Sequence, residues 1–217
     1  MLELTLDARK KAFSVLCIGA HSDDIEIGCG GTILSLIRRY ANCTFNWIVF
    51  SAVGARGQEA QKAAELFAGR DRLELLALKE FRDGFMPFAG AEIKQTFEEL
   101  KQTVSPDLIL THNRRDAHQD HRLLAELTWN TFRNHLILEY EIPKYDGDMG
   151  KPNIFSPLDD ELCQTKLRYL MGAFPSQQSK KWFEASTFQA LMRVRGMECC
   201  APSGYAEAFY CRKLVIR

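Results

Sequence analysis

Hydrophobic and polar positions alternate along this chain in two distinct rhythms. Residues 13–19 are apolar on both faces and end at a glycine and a polar cluster, which predicts a central strand covered by helices on two sides. Gly28, Gly30 and Gly31 then form a turn leading into a predicted helix over 32–40, whose last turn carries Arg38 and Arg39, the charge that suits the helix dipole there. Strands are predicted over 44–50, 73–78, 107–111 and 135–142. Between them, helical spacing is read over 58–67, 91–104 (Ile93, Phe97, Leu100, Val104) and 123–132, with Pro106 stopping the second. This alternation implies a mostly parallel sheet between layers of helices, with right-handed crossovers. Residues 143–157 are rich in Pro, Gly, Asp and Asn and read as a long loop over one rim. Helices over 158–171 and 181–195 and an extended segment over 205–216 complete the chain, which has no internal repeat.

Chemistry is concentrated just beyond two of the predicted strands. Ala20, His21, Ser22, Asp23 and Asp24 follow the first, and Asp116, Ala117, His118, Gln119, Asp120 and His121 lie shortly after the strand at 107–111. Open α/β sheets place their sites at the carboxyl ends of strands, and two imidazoles with a carboxylate suit a catalytic zinc. Asp23 and Asp24 are adjacent, so their side chains leave the backbone in different directions. One can bind a metal while the other faces a bound water. The triad is then His21, Asp24 and His121, with a fourth position open. His112 and His135 sit at a strand end and a strand start and are read as structural or solvent-facing. Asp116 and Asp120 either orient the histidines or cap the following helix.

Composition bounds the partners. The 217 residues suit one domain, 1–217, and 46% hydrophobic residues suit a globular core. Lys and Arg number 28, as do Asp and Glu, so no net field draws the chain to nucleic acid or to an anionic membrane. Residues 1–7 carry acids where a secretory leader needs a basic start, and no run has the length of a membrane span; a cytoplasmic location is expected. Seven scattered cysteines without a C-x-x-C pair indicate free thiols. A homo-oligomer is compatible with all of this.

The stretch from Ala20 through Gly28, Cys29, Gly30, Gly31 and Thr32, together with Asp116, His118, Asp120 and His121, resembles the LmbE-like (PIG-L) family of zinc-dependent de-N-acetylases. That family's first motif usually reads A-H-P-D-D before a glycine-rich turn, and its second reads H-P-D-H. Arg56, Glu59, Ala63, the run from Ser105 to Ile109, Ser176, Gln177 and the run from Gly204 to Phe209 extend the resemblance over most of the chain. It implies a Rossmann-like three-layer α/β/α sandwich. It also implies one Zn2+ per chain on His21, Asp24 and His121, with iron or another divalent ion as the other choice. Asp23 is then the general base, and His118, protonated, the stabiliser of the tetrahedral oxyanion. Ser22 and Gln119 stand where the family has proline, which touches loop rigidity and no chemical group.

The implied reaction removes acetyl from an N-acetylated amino sugar, an N-acetylglucosamine conjugate or sugar nucleotide. A zinc-dependent hydratase of an unsaturated dicarboxylic acid, such as 4-oxalomesaconate hydratase, and a nonenzymatic sugar-binding protein are the alternatives. The second should have lost Asp23 and His118, and both are present. Arg56 is read as binding an anionic substrate group or acetate, with a salt bridge to Glu59 as an equal alternative. The aromatic loop 81–88 offers a sugar either a wall or only more core. The glycine turn lacks the G-x-G-x-x-G spacing of a dinucleotide site. Glu207 has no role derivable from its neighbours in sequence.

Overall fold

The computed structural model describes residues 3–6 and 12–215. Its elements are β1 (Phe13–His21), α1 (Asp24–Arg39), β2 (Cys43–Ser51), α2 (Ala55–Ala68), β3 (Leu73–Leu78), α3 (Gly90–Thr103), β4 (Leu108–His112), α4 (Gln119–Thr131), β5 (Leu136–Tyr140), β6 (Ile154–Leu158), α5 (Asp160–Ala173), α6 (Ala185–Glu198) and β7 (Tyr205–Cys211). One seven-stranded sheet runs in the order β3-β2-β1-β4-β5-β7-β6. Strands β1 to β5 are parallel, and β7 lies antiparallel between β5 and β6. From β1 the chain builds outward through β2 and β3, then returns to add β4 and β5 on the other side. Connections therefore diverge between β1 and β4, and a crevice opens there at the carboxyl ends of the strands.

Period-two alternation along β1 sorts its side chains to two faces. Val15 and Cys17 join the larger core with Ile25 and Ile33 of α1, Phe67 of α2, Leu167 of α5 and Phe188 of α6. Leu16 and Ile18 point the other way, to Ile93 and Phe97 of α3 and Leu124 of α4. The result is the expected three-layer α/β/α arrangement with a mostly parallel sheet. Among the described residues no helix is long and apolar enough to cross a membrane.

Several boundaries differ from the sequence reading. Helix α1 starts at Asp24 and runs through Gly28, Gly30 and Gly31, so these glycines are helical and do not form a turn. A Cβ at Gly28 would collide with the Tyr140 ring, at Gly30 with Phe67 and at Gly31 with Leu158. Close packing on three sides is why glycine is needed. Helix α4 begins at Gln119, four residues earlier than its apolar spacing indicates, because His118 serves as its N-cap. The loop read over 143–157 is shorter: Pro157 lies in β6, an edge strand, where a missing N–H costs no ladder bond. Asp159 then caps α5 by accepting the Leu162 N–H (2.8 Å). Residues 181–184 precede α6, and β7 ends at Cys211. Ile216 lies outside the described residues, as do Met1, Leu2 and Asp7 of the segment read against a leader.

Candidate metal centre and active site

Strand β1 delivers His21 to the crevice, and the chain turns at once into α1. The His21 N–H donates to Asp24 Oδ2 (2.6 Å), and the Ser22 hydroxyl donates to the Ser51 carbonyl at the end of β2 (3.3 Å). Helix α4 brings His121 in from the far side of the crevice. The three donor atoms then converge: His21 Nδ1 is 3.3 Å from Asp24 Oδ2 and 3.1 Å from His121 Nε2, and the last two are 3.5 Å apart. Ligands about 2.0–2.1 Å from a tetrahedral zinc lie about 3.3 Å from each other, so the spacing fits such an ion.

Hydrogen bonds on the outer ring nitrogens fix what faces inward. His121 Nδ1 lies 3.0 Å from Asp116 Oδ2, so it carries the proton and Nε2 presents a lone pair. His21 Nε2 faces Asp83 Oδ1 (3.0 Å) and Asp120 Oδ2 (3.3 Å); burial would lower its pKa, but Asp24, Asp120 and Asp83 hold it well above the ordinary histidine value, so a bound cation would take the place of the Nδ1 proton. Two ring nitrogens and a carboxylate oxygen therefore face one another. This is the donor chemistry of a divalent cation site, with carboxylates behind both histidines. Burial, the largest influence on Asp24, would raise its pKa, but His121, His112 and His21 together hold it well below the ordinary carboxylate range. It is anionic at neutral pH.

The neighbouring Asp23 differs in every respect. Its Oδ1 accepts from Arg56 Nη2 (2.9 Å), while Oδ2 is buried and without a hydrogen-bond partner among the described residues. Burial and then the charge of Asp24 raise its pKa, and Arg56 and His21 oppose the shift. A carboxylate with one oxygen fixed, the other free and a raised pKa is suited to take up a proton. Arg56 thus pairs with Asp23 and not with Glu59. Glu59 accepts instead from the Ser176 N–H (2.9 Å) and hydroxyl (2.6 Å), which accounts for those two motif residues together.

His118 stands at the entrance of α4 with its ring 4.9 Å from that of His21 and 4.6 Å from that of His121. Its Nδ1 accepts the Asp120 N–H (3.3 Å), so the proton of the neutral ring sits on Nε2. Burial, then His121 and His21, lower its pKa. These neighbours favour a neutral ring with its proton on Nε2, where the sequence reading has His118 protonated.

Supporting groups tie the site to its loops. Asp116 accepts the His118 N–H (2.8 Å) and pairs with Lys144 (3.1 Å), which also holds Asp148 (2.6 Å). Asp148 in turn accepts the Ala117 N–H (2.6 Å), so the loop after β5 clamps the loop that carries His118 and His121. Asp120 is fully buried and accepts from the N–H groups of Gly84 (2.7 Å) and Met86 (3.2 Å), fastening the 81–88 loop to the site. Of the two jobs weighed for them, Asp116 and Asp120 do the first, standing behind His121 and His21; the cap of α4 is His118. In the aromatic loop, Met86 is core and Phe81 stacks on Phe50, whereas Phe85 and Phe88 are exposed on the rim.

His112, read as structural or solvent-facing, lies inside the site. Its Nε2 accepts the Ala20 N–H (2.9 Å), and its ring stacks on that of His121, centroids 3.9 Å apart. That bond occupies the lone pair facing Asp24, so His112 orients His121 and is not a metal donor. Asp83 was also missed; an exposed acid in an aromatic loop gives no local signal.

The sequence profile of the GlcNAc-PI de-N-acetylase (PIG-L) family matches residues 16–132, more than half of the chain and the part that holds His21, Asp23, Asp24, Arg56, His118 and His121. The chain belongs to the PIG-L family. An uncharacterized deacetylase of Escherichia coli K12, YaiS, is 24% identical over 176 residues, spanning 76% of this chain and 92% of that one. The N,N'-diacetylchitobiose deacetylase of Pyrococcus horikoshii superposes with a TM-score of 0.72 over 93% of this chain and 84% of its own, at 20% identity. GalB, the 4-carboxy-2-hydroxymuconate hydratase of Pseudomonas putida KT2440, gives 0.74 over 94% and 98%, at 16% identity. One fold therefore carries both reactions, and the fold does not choose between them. Family membership does: the chain is a hydrolytic N-deacetylase of a metal-dependent family.

Proposed function

We propose that the protein is a zinc-dependent deacetylase of N-acetylated amino sugars, an N-acetylglucosamine conjugate or sugar nucleotide, working as a single domain in the cytoplasm. The observation that carries the metal reading is the convergence of His21 Nδ1, Asp24 Oδ2 and His121 Nε2 at 3.1–3.5 Å, with the unpartnered Asp23 Oδ2 on the adjacent residue. His21, Asp24 and His121 would hold one zinc, which when bound supplies a Lewis acid for the acetamide carbonyl and makes water nucleophilic near neutral pH. Asp23 Oδ2 takes the proton of the attacking water while Arg56 holds Oδ1, then passes it to the departing amine. His118 Nε2–H donates to the oxyanion as it forms. Exposed Phe85 and Phe88 offer a sugar ring a stacking face at the rim. Free cysteines suit a reducing compartment.

Metal analysis of protein purified without added metal should give one zinc per chain, and a screen of N-acetylglucosamine conjugates and sugar nucleotides should release amine and acetate in equal amounts. Full activity without metal would remove the zinc mechanism. Turnover confined to amides that carry no sugar would overturn the substrate assignment.

A further inference from the structure

Lys166 of α5 and Glu207 of β7 meet inside the larger core, against the middle of α1. Their charged atoms are 2.6 Å apart and their side chains only 2% and 3% exposed. Lys166 Nζ also donates to the Ile27 carbonyl (2.6 Å). Glu207 accepts the Gly31 N–H at Oε1 (2.8 Å), and the Thr32 N–H and hydroxyl at Oε2 (2.6 Å each). The carbonyl of residue 27 and the N–H of residue 31 are the two ends of one helical hydrogen-bond step. One ion pair thus grips α1 at both ends of a single turn.

Stability alone does not explain such a pair, because desolvating two charges consumes much of their attraction and apolar replacements of similar volume often do as well. The helix it grips does need holding. Gly28, Gly30 and Gly31 fall within four residues, and each lowers helix propensity by about 0.8–1 kcal/mol relative to alanine. One turn upstream, the Ile27 N–H donates to the Asp23 carbonyl (3.0 Å). Residue 27 is therefore held on both sides: its carbonyl takes the buried ammonium, and its N–H reaches back one turn to the backbone of Asp23, next to Asp24.

We propose that Lys166 and Glu207 are positioning residues for the metal centre. By fixing α1 along and about its axis, they set Asp24 Oδ2 against His21 and His121 and keep Asp23 on Arg56. Neither touches the reacting atoms. The assignment rests on the reading of His21, Asp24 and His121 as the metal donors.

The test is zinc affinity, measured by competition with a chromogenic chelator, at a temperature where near-ultraviolet circular dichroism shows each variant folded. Lys166→Met should weaken zinc binding about ten- to a hundredfold, the usual effect of losing a group that supports metal ligands. Lys166→Arg should restore most of it. Should Lys166→Met fail to fold, the double variant Lys166→Met/Glu207→Gln, which leaves no unpaired buried charge, gives the same readout. A folded variant that lowers the melting temperature yet keeps zinc affinity within twofold of wild type would reduce the pair to a structural role and overturn the proposal. No substrate enters the measurement. A protein that binds zinc as expected but deacetylates no sugar would therefore sink only the substrate reading.

Discussion

At the scale of single residues, the centre is a set of tautomers imposed by carboxylates. Asp116 behind His121, Asp83 and Asp120 behind His21, and the Asp120 N–H at His118 decide which ring nitrogens donate and which accept. The pH profile depends on these assignments. In the proposed mechanism Asp23 acts when ionised, and its pKa is raised by burial and by Asp24; His118 acts when neutral, and its pKa is lowered by burial and by His121 and His21. Raising pH therefore moves both groups toward their active forms, and a bound dication would lower both pKa values without reversing either sign. Activity should climb through a limb set by the coupled pair and reach a plateau, with no alkaline limb due to His118. The sequence reading, with His118 protonated, gives the opposite expectation of an alkaline loss. Profiles of wild type and His118→Ala decide between them: an alkaline limb that vanishes in the variant would show the ring working as an imidazolium. Asp23→Asn should keep zinc while turnover falls by roughly two to four powers of ten, and near-native turnover with zinc retained would remove Asp23 from the mechanism. His21, Asp24 and His121 were legible because short motifs at strand ends carry them. His112 was not, because its stacking on His121 exists only once β4 and α4 are packed.

At the scale of elements, β1 to β5 were legible to within two residues, because apolar runs of that length have few other readings, whereas β6, a partly buried edge strand containing Pro157, was read as loop. The starts of α1 and α4 were read late, those of α5 and α6 early. The beginnings of α1 and α4 hold the acids, glycines and histidines of the site, which show no apolar period. In α1 three glycines signal a turn by local propensity, and tertiary packing overrides them. This gives a paired test. Gly28→Ala improves intrinsic helix propensity but drives a methyl into the buried Tyr140 ring, so it should cost about 1–3 kcal/mol as an overpacked core does. Gly172→Ala, in α5 with nothing within 4 Å of the added carbon, should instead stabilise by about 0.5–1 kcal/mol. Urea midpoints of the two variants carry the answer. A stabilised Gly28→Ala would mean that α1 does not sit against Tyr140 as described.

At the scale of the whole molecule, the proposed metal centre spans the crevice between β1 and β4, where the chain's order across the sheet reverses. His21 and Asp24 come from the end of β1 and the start of α1, and His121 comes from α4, which follows β4 on the other side of the crevice. The two sides share only a short register, Val15 to Cys17 against Leu108 to Leu110. A cation bound by all three residues would link them at the end where that pairing has stopped. It would also give the three donor atoms, which face one another at 3.1–3.5 Å, a common partner. An unfolded chain cannot assemble the set, so zinc should bind the native state and add stability by mass action. At free zinc a hundredfold above its dissociation constant the gain is about 2.7 kcal/mol. For a chain of this size that corresponds to a rise of roughly 5–11 °C in melting temperature, at about 2–4 °C per kcal/mol. Thermal unfolding of chelator-stripped protein, with and without zinc, measures this directly. Asp24→Asn and His121→Ala should each flatten the response, because each removes a donor from one side of the crevice. An equal rise in those variants would place the ion elsewhere, and with it the chemistry assigned to this centre.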